Sequence, residues 1–207
     1  MDVVVTGIGM LTPFGRGAER TFDALVAGRT AIGPITRFDA SGHRSRIAAE
    51  VTDLEAGDDL APGDDRTFDR FQLMAVLAAL DAARDAGLGA GPLGDRAAAI
   101  VGTGIGGIET IERNHELLRS RGPRRISPYF IPASIPNLAA ALVSMRLGAR
   151  AVCVSPASAC ASGAHAIGEA LWALRSGRID IAVAGGTEAA VTPLCVAGFA
   201  AMRGLSE

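Results

Sequence analysis

The residue best suited to chemistry in this sequence is Cys160, in the small-residue run from Ser158 to Gly163. A short apolar strand is predicted before this run, and a long helix is predicted to follow from the cysteine. The unpaired N–H groups at a helix start and the positive end of the helix dipole both favour thiolate over thiol. The thiolate is the nucleophilic form. The sequence therefore favours a nucleophilic Cys160 over the alternative, a buried and inert cysteine.

Three histidines are candidate bases for such a nucleophile. On a helix, His165 would lie about 140° around the axis from Cys160 and roughly 7.5 Å along it, which favours a packing or hydrogen-bonding role. His43 and His115 have no neighbouring cysteine or acid at a spacing typical of metal sites, so no metal is expected. The groups that handle protons for Cys160 are expected to lie outside residues 1–207.

Two charged features each have two interpretations. Glu188 follows a predicted strand in an otherwise apolar segment, where a carboxylate needs a hydrogen-bonding partner. A satisfied buried acid is favoured there over general acid–base chemistry. The densest basic cluster contains Arg119, Arg121, Arg124 and Arg125. A solvated loop is the usual explanation for such a cluster, and docking of an acidic partner is the alternative.

Two glycine-rich segments, residues 7–9 and 102–107, follow predicted strands. Neither has the spacing of a dinucleotide-binding fingerprint, because residue 12 is threonine where the third glycine belongs and the second segment also misses the pattern. Tight turns at strand ends are therefore favoured over a nucleotide site.

The composition is that of a globular protein, with 207 residues, 49% apolar and 20% charged. The net charge of −2 supplies no basic field for nucleic acid. Three cysteines, an odd number, indicate a reducing compartment. The uncharged stretch 151–168 contains Pro156 and several serines, so a buried strand, turn and helix are favoured over a membrane span. A soluble, cytoplasmic protein is expected.

The apolar periodicity predicts strands that alternate with helices, which is typical of an α/β protein with a largely parallel sheet. The predicted strands are residues 3–6, 97–101, 151–154 and 179–184. The predicted helices are residues 18–27, 68–86, 108–119, 137–146 and 160–175. The segments 31–62 and 123–136 are predicted to be irregular, because glycine, proline and aspartate interrupt the first and prolines interrupt the second.

Five segments, in this order along the chain, resemble the β-ketoacyl-[acyl-carrier-protein] synthases, condensing enzymes of the thiolase-like superfamily. They are residues 4–10 with Pro13 and Gly15, 102–107, 126–132, 158–163 and 184–188. The chain is similar to the N-terminal half of the elongating, chain-length-tolerant class. Ser158 and Ala161 stand where threonine is common, and neither change removes a catalytic atom. The resemblance implies that residues 1–207 form an N-terminal ketosynthase domain, which ends before the C-terminal half of a five-layered αβαβα fold.

The resemblance also implies roles for individual residues. Cys160 would accept an acyl group from an acyl carrier protein as a thioester and pass it to a malonyl unit by decarboxylative Claisen condensation, in fatty-acid or polyketide synthesis. Its backbone N–H would be half of an oxyanion hole. Ile105 would line the acyl pocket, and Phe130 would reach that pocket across a dimer interface. The residues implied to dock the carrier protein are Arg66, Arg124, Arg125 and Arg203.

The same resemblance implies no cofactor and a homodimer built around the strand before Cys160, or a heterodimer with a ketosynthase-like subunit. The two active-site histidines, a lysine and a glycine-rich phenylalanine loop of the family belong to its C-terminal half, and nothing in residues 1–207 resembles them. This chain alone is therefore expected not to complete condensation. One alternative is a non-catalytic partner subunit that shapes an acyl pocket, but such subunits replace the nucleophilic cysteine. Another is a fragment that only mediates contacts with the carrier protein or a subunit.

Overall fold

The structure, a computed structural model, describes residues 2–89 and 91–206. Seven short strands and eight α-helices occur in this part of the chain. In chain order they are β1 (Leu11–Thr12), β2 (Gly15–Arg16), α1 (Ala18–Val26), β3 (Ile32–Pro34), β4 (Ile47–Ala49), α2 (Asp64–Thr67), α3 (Arg70–Asp85), β5 (Ala97–Gly102), α4 (Ile108–Arg121), α5 (Phe130–Ser134), α6 (Leu138–Leu147), β6 (Val152–Val154), α7 (Ser162–Arg175), β7 (Ile181–Gly186) and α8 (Pro193–Ala201).

The central element is a three-stranded parallel sheet in the order β6-β5-β7. Ala98 of β5 lies opposite Val152 on one side and Ala182 on the other. Every residue of β5 is buried, as expected for a middle strand of a parallel sheet that helices cover on both faces. The predicted α/β fold with a largely parallel sheet flanked by helices is confirmed.

The two faces of β5 belong to two different hydrophobic clusters. Because side chains alternate along a strand, Ala97, Ala99 and Val101 point into a cluster with α3 and α6. Ala98 and Ile100 point the other way, into a cluster with α7. Small alanine side chains let the helices on both faces approach the sheet closely. The sheet and these three helices form the frame that positions the loops described below.

Helix α3 confirms the helix predicted over residues 68–86, and its start is specified locally. The Asp69 carboxylate accepts the Phe71 N–H at 3.2 Å, and the Gln72 Oε1 accepts the Asp69 N–H at 2.8 Å. These reciprocal bonds form a capping box. The second oxygen of Asp69 accepts the Thr110 N–H at 2.9 Å, which ties the start of α3 to α4.

The prediction of a buried strand at residues 3–6 is wrong. These residues form no strand with any described part of the chain, and Val4 and Val5 are 74% and 81% exposed. The segment after them lies against α3, where a Cβ on Gly9 would come within 1.9 Å of the Ala78 carbonyl oxygen. A strand requires a neighbouring strand for its N–H and C=O groups, and a β-branched run does not reveal whether one is present.

Two segments predicted to be irregular contain regular structure. Within residues 31–62, β3 pairs antiparallel with β4, and Gly57–Asp59 forms a 3₁₀ turn. Within residues 123–136, a 3₁₀ turn at Pro123–Arg125 is followed by α5. The prolines do not prevent α5, because Pro132 falls in its first turn, where no N–H is needed within the helix. No helix in the described ranges is long and apolar enough to cross a membrane.

Candidate active site around Cys160

Three turns meet at one edge of the sheet. Because β5, β6 and β7 are parallel, their carboxyl ends lie at the same edge. Residues 103–107, 155–161 and 187–192 follow these three ends. Loops at the carboxyl ends of parallel strands are the usual location of ligand sites in open α/β sheets. Cys160 lies in the second of these turns.

The turn that carries Cys160 is sharper than the sequence predicts. Helix α7 begins at Ser162, so Cys160 lies two residues before it and not within its first turn, which corrects the predicted start at residue 160. Ala159 adopts φ +52°, a left-handed conformation that is uncommon for a residue with a side chain. The turn is closed by the Ala161 N–H, which donates to the Ser158 carbonyl at 3.2 Å, and the Ser162 N–H, which donates to the Ala159 carbonyl at 3.1 Å. Both hydrogen bonds lie in the turn that leads into α7.

The Ser162 hydroxyl joins the Cys160 turn to the turn after β5. It is 2% exposed, accepts the Ser158 N–H at 2.9 Å and lies 3.2 Å from the Thr103 carbonyl oxygen. The backbones are also in close contact, since a Cβ on Gly102 would lie 2.3 Å from the Ser162 carbonyl oxygen. Glycine at position 102 is thus a geometric requirement for this approach.

Glu188 joins the third turn to the first. Its Oε2 accepts the N–H groups of Gly104 and Ile105, each at 2.9 Å. Its Oε1 is buried and has no hydrogen-bond partner among the described residues. The expectation of a satisfied acid is therefore confirmed for one carboxylate oxygen and wrong for the other. The contact could not be read from the sequence, because 84 positions separate Glu188 from Gly104.

His165 has the hydrogen-bonding role that its spacing predicts. Its Nδ1 lies 2.5 Å from the Ser158 hydroxyl, so the first turn of α7 holds the residue two positions before Cys160. In residues 2–89 and 91–206, no group of histidine, cysteine and acidic side chains has an arrangement that could hold a metal ion.

The three cysteines differ in their surroundings. Cys195 is buried in α8, and burial raises the pKa of its thiol. Cys153 is exposed as a residue, but partial burial of its thiol raises that pKa as well. Cys160 is exposed on the turn, and within the described ranges its N–H has no hydrogen-bond acceptor. Cys160 is therefore the cysteine that combines an exposed position on a turn with an N–H that no described group accepts.

The two residues implied to line an acyl pocket lie in connected elements. Ile105 is half-buried in the turn after β5, next to Gly104, where a Cβ would lie 3.3 Å from the Ala159 carbonyl carbon. Phe130 is the half-buried first residue of α5. The other end of α5 contacts the same turn, because the Gly107 N–H donates to the Ser134 carbonyl at 3.1 Å. The turn after β5 thus connects both residues to the Cys160 turn.

The four arginines implied to dock a carrier protein are all exposed and lie in different elements. Arg66 is in α2, Arg124 and Arg125 are in the 3₁₀ turn after α4, and Arg203 follows α8. In the part of the chain that the structure describes, none of the four forms an ion pair. Their guanidinium groups are therefore available to an external acidic group.

Comparison with known proteins gives a consistent family match. The model of the β-ketoacyl synthase N-terminal domain matches residues 1–207. A 3-oxoacyl-[acyl-carrier-protein] synthase 2 from Synechocystis sp. is 42% identical over 205 residues, which is 99% of this chain and 49% of that protein. A protein of the same name from Coxiella burnetii is 41% identical over 205 residues, which is 99% of this chain and 50% of that protein. The chain spans about half the length of the curated relatives it matches.

Solved structures of ketosynthases share the fold. The ishigamide ketosynthase/chain length factor is 31% identical, with a TM-score of 0.85 over 98% of this chain and 51% of that one. A type II polyketide synthase complex of a ketosynthase with its acyl carrier protein, AntDE:AntF, is 28% identical, with a TM-score of 0.78 over 96% of this chain and 48% of that one. From the family model and these identities, the chain belongs to the β-ketoacyl synthase family, and it corresponds to that family's N-terminal domain.

Proposed function

We propose that Cys160 is the acyl-accepting nucleophile of a β-ketoacyl-[acyl-carrier-protein] synthase, and that residues 1–207 are the N-terminal domain that carries it. The observation that carries this proposal is the position of Cys160, exposed on a strained turn at the carboxyl edge of the sheet. Strained backbone occurs preferentially at functional sites, where the surrounding structure holds it in place. The hydrogen bonds of Ser162 and His165 hold this turn on both sides.

In the first step of the proposed reaction, the Cys160 thiolate attacks the thioester carbonyl of an acyl carrier protein. A carbon–sulfur bond to Cys160 forms, the bond to the carrier thiol breaks, and the carrier thiolate leaves and takes up a proton. The Cys160 N–H, which has no acceptor among the described residues, is available to the oxyanion that develops.

In the second step, a malonyl thioester loses CO₂, and the resulting carbanion attacks the acyl carbonyl on Cys160. The Cys160 thiolate leaves and a β-ketoacyl thioester is released. The groups that assist decarboxylation are inferred, from the resemblance alone, to belong to a C-terminal domain. We therefore expect no condensation product when residues 1–207 are supplied alone with acyl and malonyl carrier proteins. Robust turnover by this chain would contradict that expectation.

An acyl carrier protein is the proposed partner. Relatives are named 3-oxoacyl-[acyl-carrier-protein] synthases, and one similar structure is titled as a ketosynthase in complex with its carrier protein. The proposed docking surface consists of Arg66, Arg124, Arg125 and Arg203, whose exposed positive charges suit an acidic protein. Charge reversal at Arg124 and Arg125 should slow acyl transfer from the carrier protein, and transfer from a small acyl thioester should be unchanged.

A dimer built around β6 is also proposed. In the described sheet, β6 pairs with β5 on one side only, and its Val154 is exposed. An unpaired strand edge is a template for pairing with another chain. We predict a cytoplasmic location and a role in fatty-acid or polyketide synthesis. The dimer is predicted to be a homodimer or a heterodimer with a ketosynthase-like subunit. The alternative of a non-catalytic partner subunit is disfavoured, because Cys160 is retained.

Intact-mass spectrometry after incubation with acyl carrier protein thioesters tests the proposal. The wild-type chain and Cys153→Ala should each gain the mass of one acyl group, whereas Cys160→Ala should gain none. An adduct of equal yield in Cys160→Ala would refute the role of Cys160.

A further inference from the structure

Among the described residues, Glu188 is the one acidic side chain that connects two of the three turns at the candidate site, and the proposed reaction leaves it without a role. Its Oε2 accepts the N–H groups of Gly104 and Ile105, at 2.9 Å each. Hydrogen bonds to an ionised acceptor are stronger than those between neutral groups. Gly104 is exposed, so without the carboxylate its N–H would face solvent.

The backbone that carries Glu188 is itself firmly held. The neighbouring Thr187 donates its N–H to the Gly102 carbonyl at 3.0 Å. The Thr187 hydroxyl donates to the Phe71 carbonyl at 2.6 Å, so the same residue is tied to both β5 and α3. The bonds of Thr187 therefore fix the backbone at Glu188, and the Glu188 carboxylate in turn holds the Gly104–Ile105 turn by two hydrogen bonds.

The position of that turn determines where the Ile105 side chain stands relative to Cys160. Gly104 lies against Ala159, the residue before Cys160. Because the Gly104 backbone lies against Ala159, a displacement of the turn would move the adjacent Ile105 relative to Cys160 and to an acyl group attached to it. Two further ties of this turn run from the Gly106 N–H to the Thr103 hydroxyl at 3.3 Å and from the Gly107 N–H to the Ser134 carbonyl at 3.1 Å, and neither involves the Gly104 or Ile105 amides.

We propose that Glu188 is a positioning residue that sets acyl-chain selectivity: its carboxylate holds the Gly104–Ile105 turn and thereby fixes the Ile105 side chain beside the acyl group on Cys160. This inference rests on the proposed function of Cys160 and extends it. Glu188 does not touch the reacting atoms and takes no proton. Its effect is on which acyl lengths are accepted, and the attack by the thiolate is unaffected.

The buried Oε1 makes the conservative substitution informative. Glu188 lines a cavity of about 340 Å³ together with Thr12 and Met74. Glu188→Gln retains one oxygen that can accept both N–H groups, whereas Glu188→Ala removes the acceptor. A positioning role therefore predicts that glutamine rescues what alanine loses.

The first measurement is backbone amide hydrogen exchange at Gly104 and Ile105 in the full chain. Glu188→Ala should accelerate exchange at both amides by about tenfold or more, since a charge-assisted hydrogen bond is lost, and Glu188→Gln should stay near the wild-type rate. Unchanged exchange in Glu188→Ala would overturn the proposal.

The second measurement is the rate of Cys160 acylation from carrier proteins loaded with acetyl, hexanoyl, decanoyl and hexadecanoyl groups. In Glu188→Ala, the acetyl rate should be retained while the ratio between the longest and shortest groups changes by about fivefold or more. Glu188→Gln should keep the wild-type ratio. A ratio unchanged in Glu188→Ala, or a loss of the acetyl rate as large as that of the hexadecanoyl rate, would overturn a role in selectivity.

Glu112→Ala is a matched control for Glu188→Ala, because the Glu112 Oε1 also accepts two donors, the Thr192 hydroxyl at 2.5 Å and the Leu194 N–H at 3.2 Å. It should leave the acyl-length ratio unchanged, and an equal change there would assign the effect to general destabilisation and overturn the proposal. A wild-type chain that accepts no acyl group of any length would instead refute the proposed function, and the selectivity role with it, even if the exchange rates change as expected.

Discussion

The backbone of Ala159 determines how the Cys160 side chain is presented. Its φ of +52° puts a residue with a Cβ in a region that costs on the order of 1–3 kcal/mol. Two groups of Ser162 stabilise this conformation. The Ser162 hydroxyl lies 2.6 Å from the Ala159 carbonyl oxygen, and the Ser162 N–H donates to the same oxygen. The strain is thus stored next to the proposed nucleophile.

Substitutions of Ala159 test this account of the turn. Ala159→Gly should leave the free energy of unfolding unchanged or raise it by up to about 1 kcal/mol, because glycine adopts positive φ without a steric penalty. Ala159→Val should lower it by about 1–3 kcal/mol and slow acylation of Cys160, because a β-branched residue is poorly tolerated there. Chemical denaturation measures both. A valine variant as stable as wild type would show that the turn is not strained.

Residue-scale features of the site were only partly predictable. The sequence singles out Cys160 by its small neighbours and its place at a predicted helix start, both of which are local properties. The ties that join this turn and its neighbours are not local: 59 positions separate Ser162 from Thr103, and 83 separate Glu188 from Ile105. No periodicity or spacing reveals such contacts, so only the fold brings Thr103 and Glu188 into the site.

Close packing between elements depends on Gly102, where β5 meets the start of α7. A Cβ at this position would lie 2.3 Å from the Ser162 carbonyl oxygen, and a backbone atom cannot move aside as a flexible side chain can. Gly102→Ala should therefore lower the free energy of unfolding by about 1–3 kcal/mol and reduce the rate of Cys160 acylation.

Gly185→Ala is the control for this substitution, because a Cβ there meets nothing within 4 Å. Its free energy of unfolding should change by less than about 0.5 kcal/mol. Equal stability of the two variants in urea denaturation would mean that β5 and α7 are not packed as closely as described.

A cluster of ion pairs attaches the N-terminal region to α3. The Arg16 guanidinium bonds to Asp81 at 2.6 Å and 2.7 Å and to Asp59 at 2.5 Å, and Arg84 also pairs with Asp59. Hydrogen bonds from Arg84 and then from Arg16 lower the pKa of Asp59 to about 2. The Arg16 side chain is 11% exposed, so solvent screens its pairs less than those on the surface.

This cluster predicts loss of stability in acid. The pKa of Asp59 is lowered in the folded state, so its stabilising contribution is complete above about pH 4 and is lost as the pH falls toward 2. Its protonation should remove on the order of 2 kcal/mol across that window. Asp59→Asn should flatten this part of the curve of unfolding free energy against pH. Asp180→Asn, which removes an exposed pair with Arg96, should flatten that part of the curve less, because solvent screens this pair more strongly.

At the scale of elements, local sequence signals predict α3 and β5, but they do not predict which strands pair. The capping box of α3 and the run of small apolar residues in β5 each involve residues that are neighbours in the sequence. Residues 3–6 have the same β-branched character as a strand, yet no described strand pairs with them. The strands β3 and β4 have three residues each, too few for an alternating pattern to be recognised.

Over the whole molecule, large apolar side chains remain exposed on several elements. They include Phe22, Leu25 and Val26 of α1, Ile167 and Trp172 of α7, and Val4 and Val5. Contiguous exposed apolar surface marks sites of association with other protein surface. This pattern is consistent with the chain's spanning about half the length of its curated relatives.

The isolated chain is therefore expected to self-associate. Sedimentation velocity should show oligomers or aggregates whose proportion rises with protein concentration. The only tryptophan, Trp172, is 74% exposed, so its fluorescence should shift to shorter wavelength as association covers α7. A monodisperse monomer that unfolds cooperatively would contradict this expectation.

The most direct test of the central claim locates the acyl group on the chain. The wild-type protein is incubated with a hexanoyl carrier protein, digested at low pH to preserve thioesters, and mapped by tandem mass spectrometry. The account predicts a single acylated peptide with the group on Cys160, and unmodified Cys153 and Cys195. An acyl group found on either of those two cysteines, or on none of the three, would contradict it.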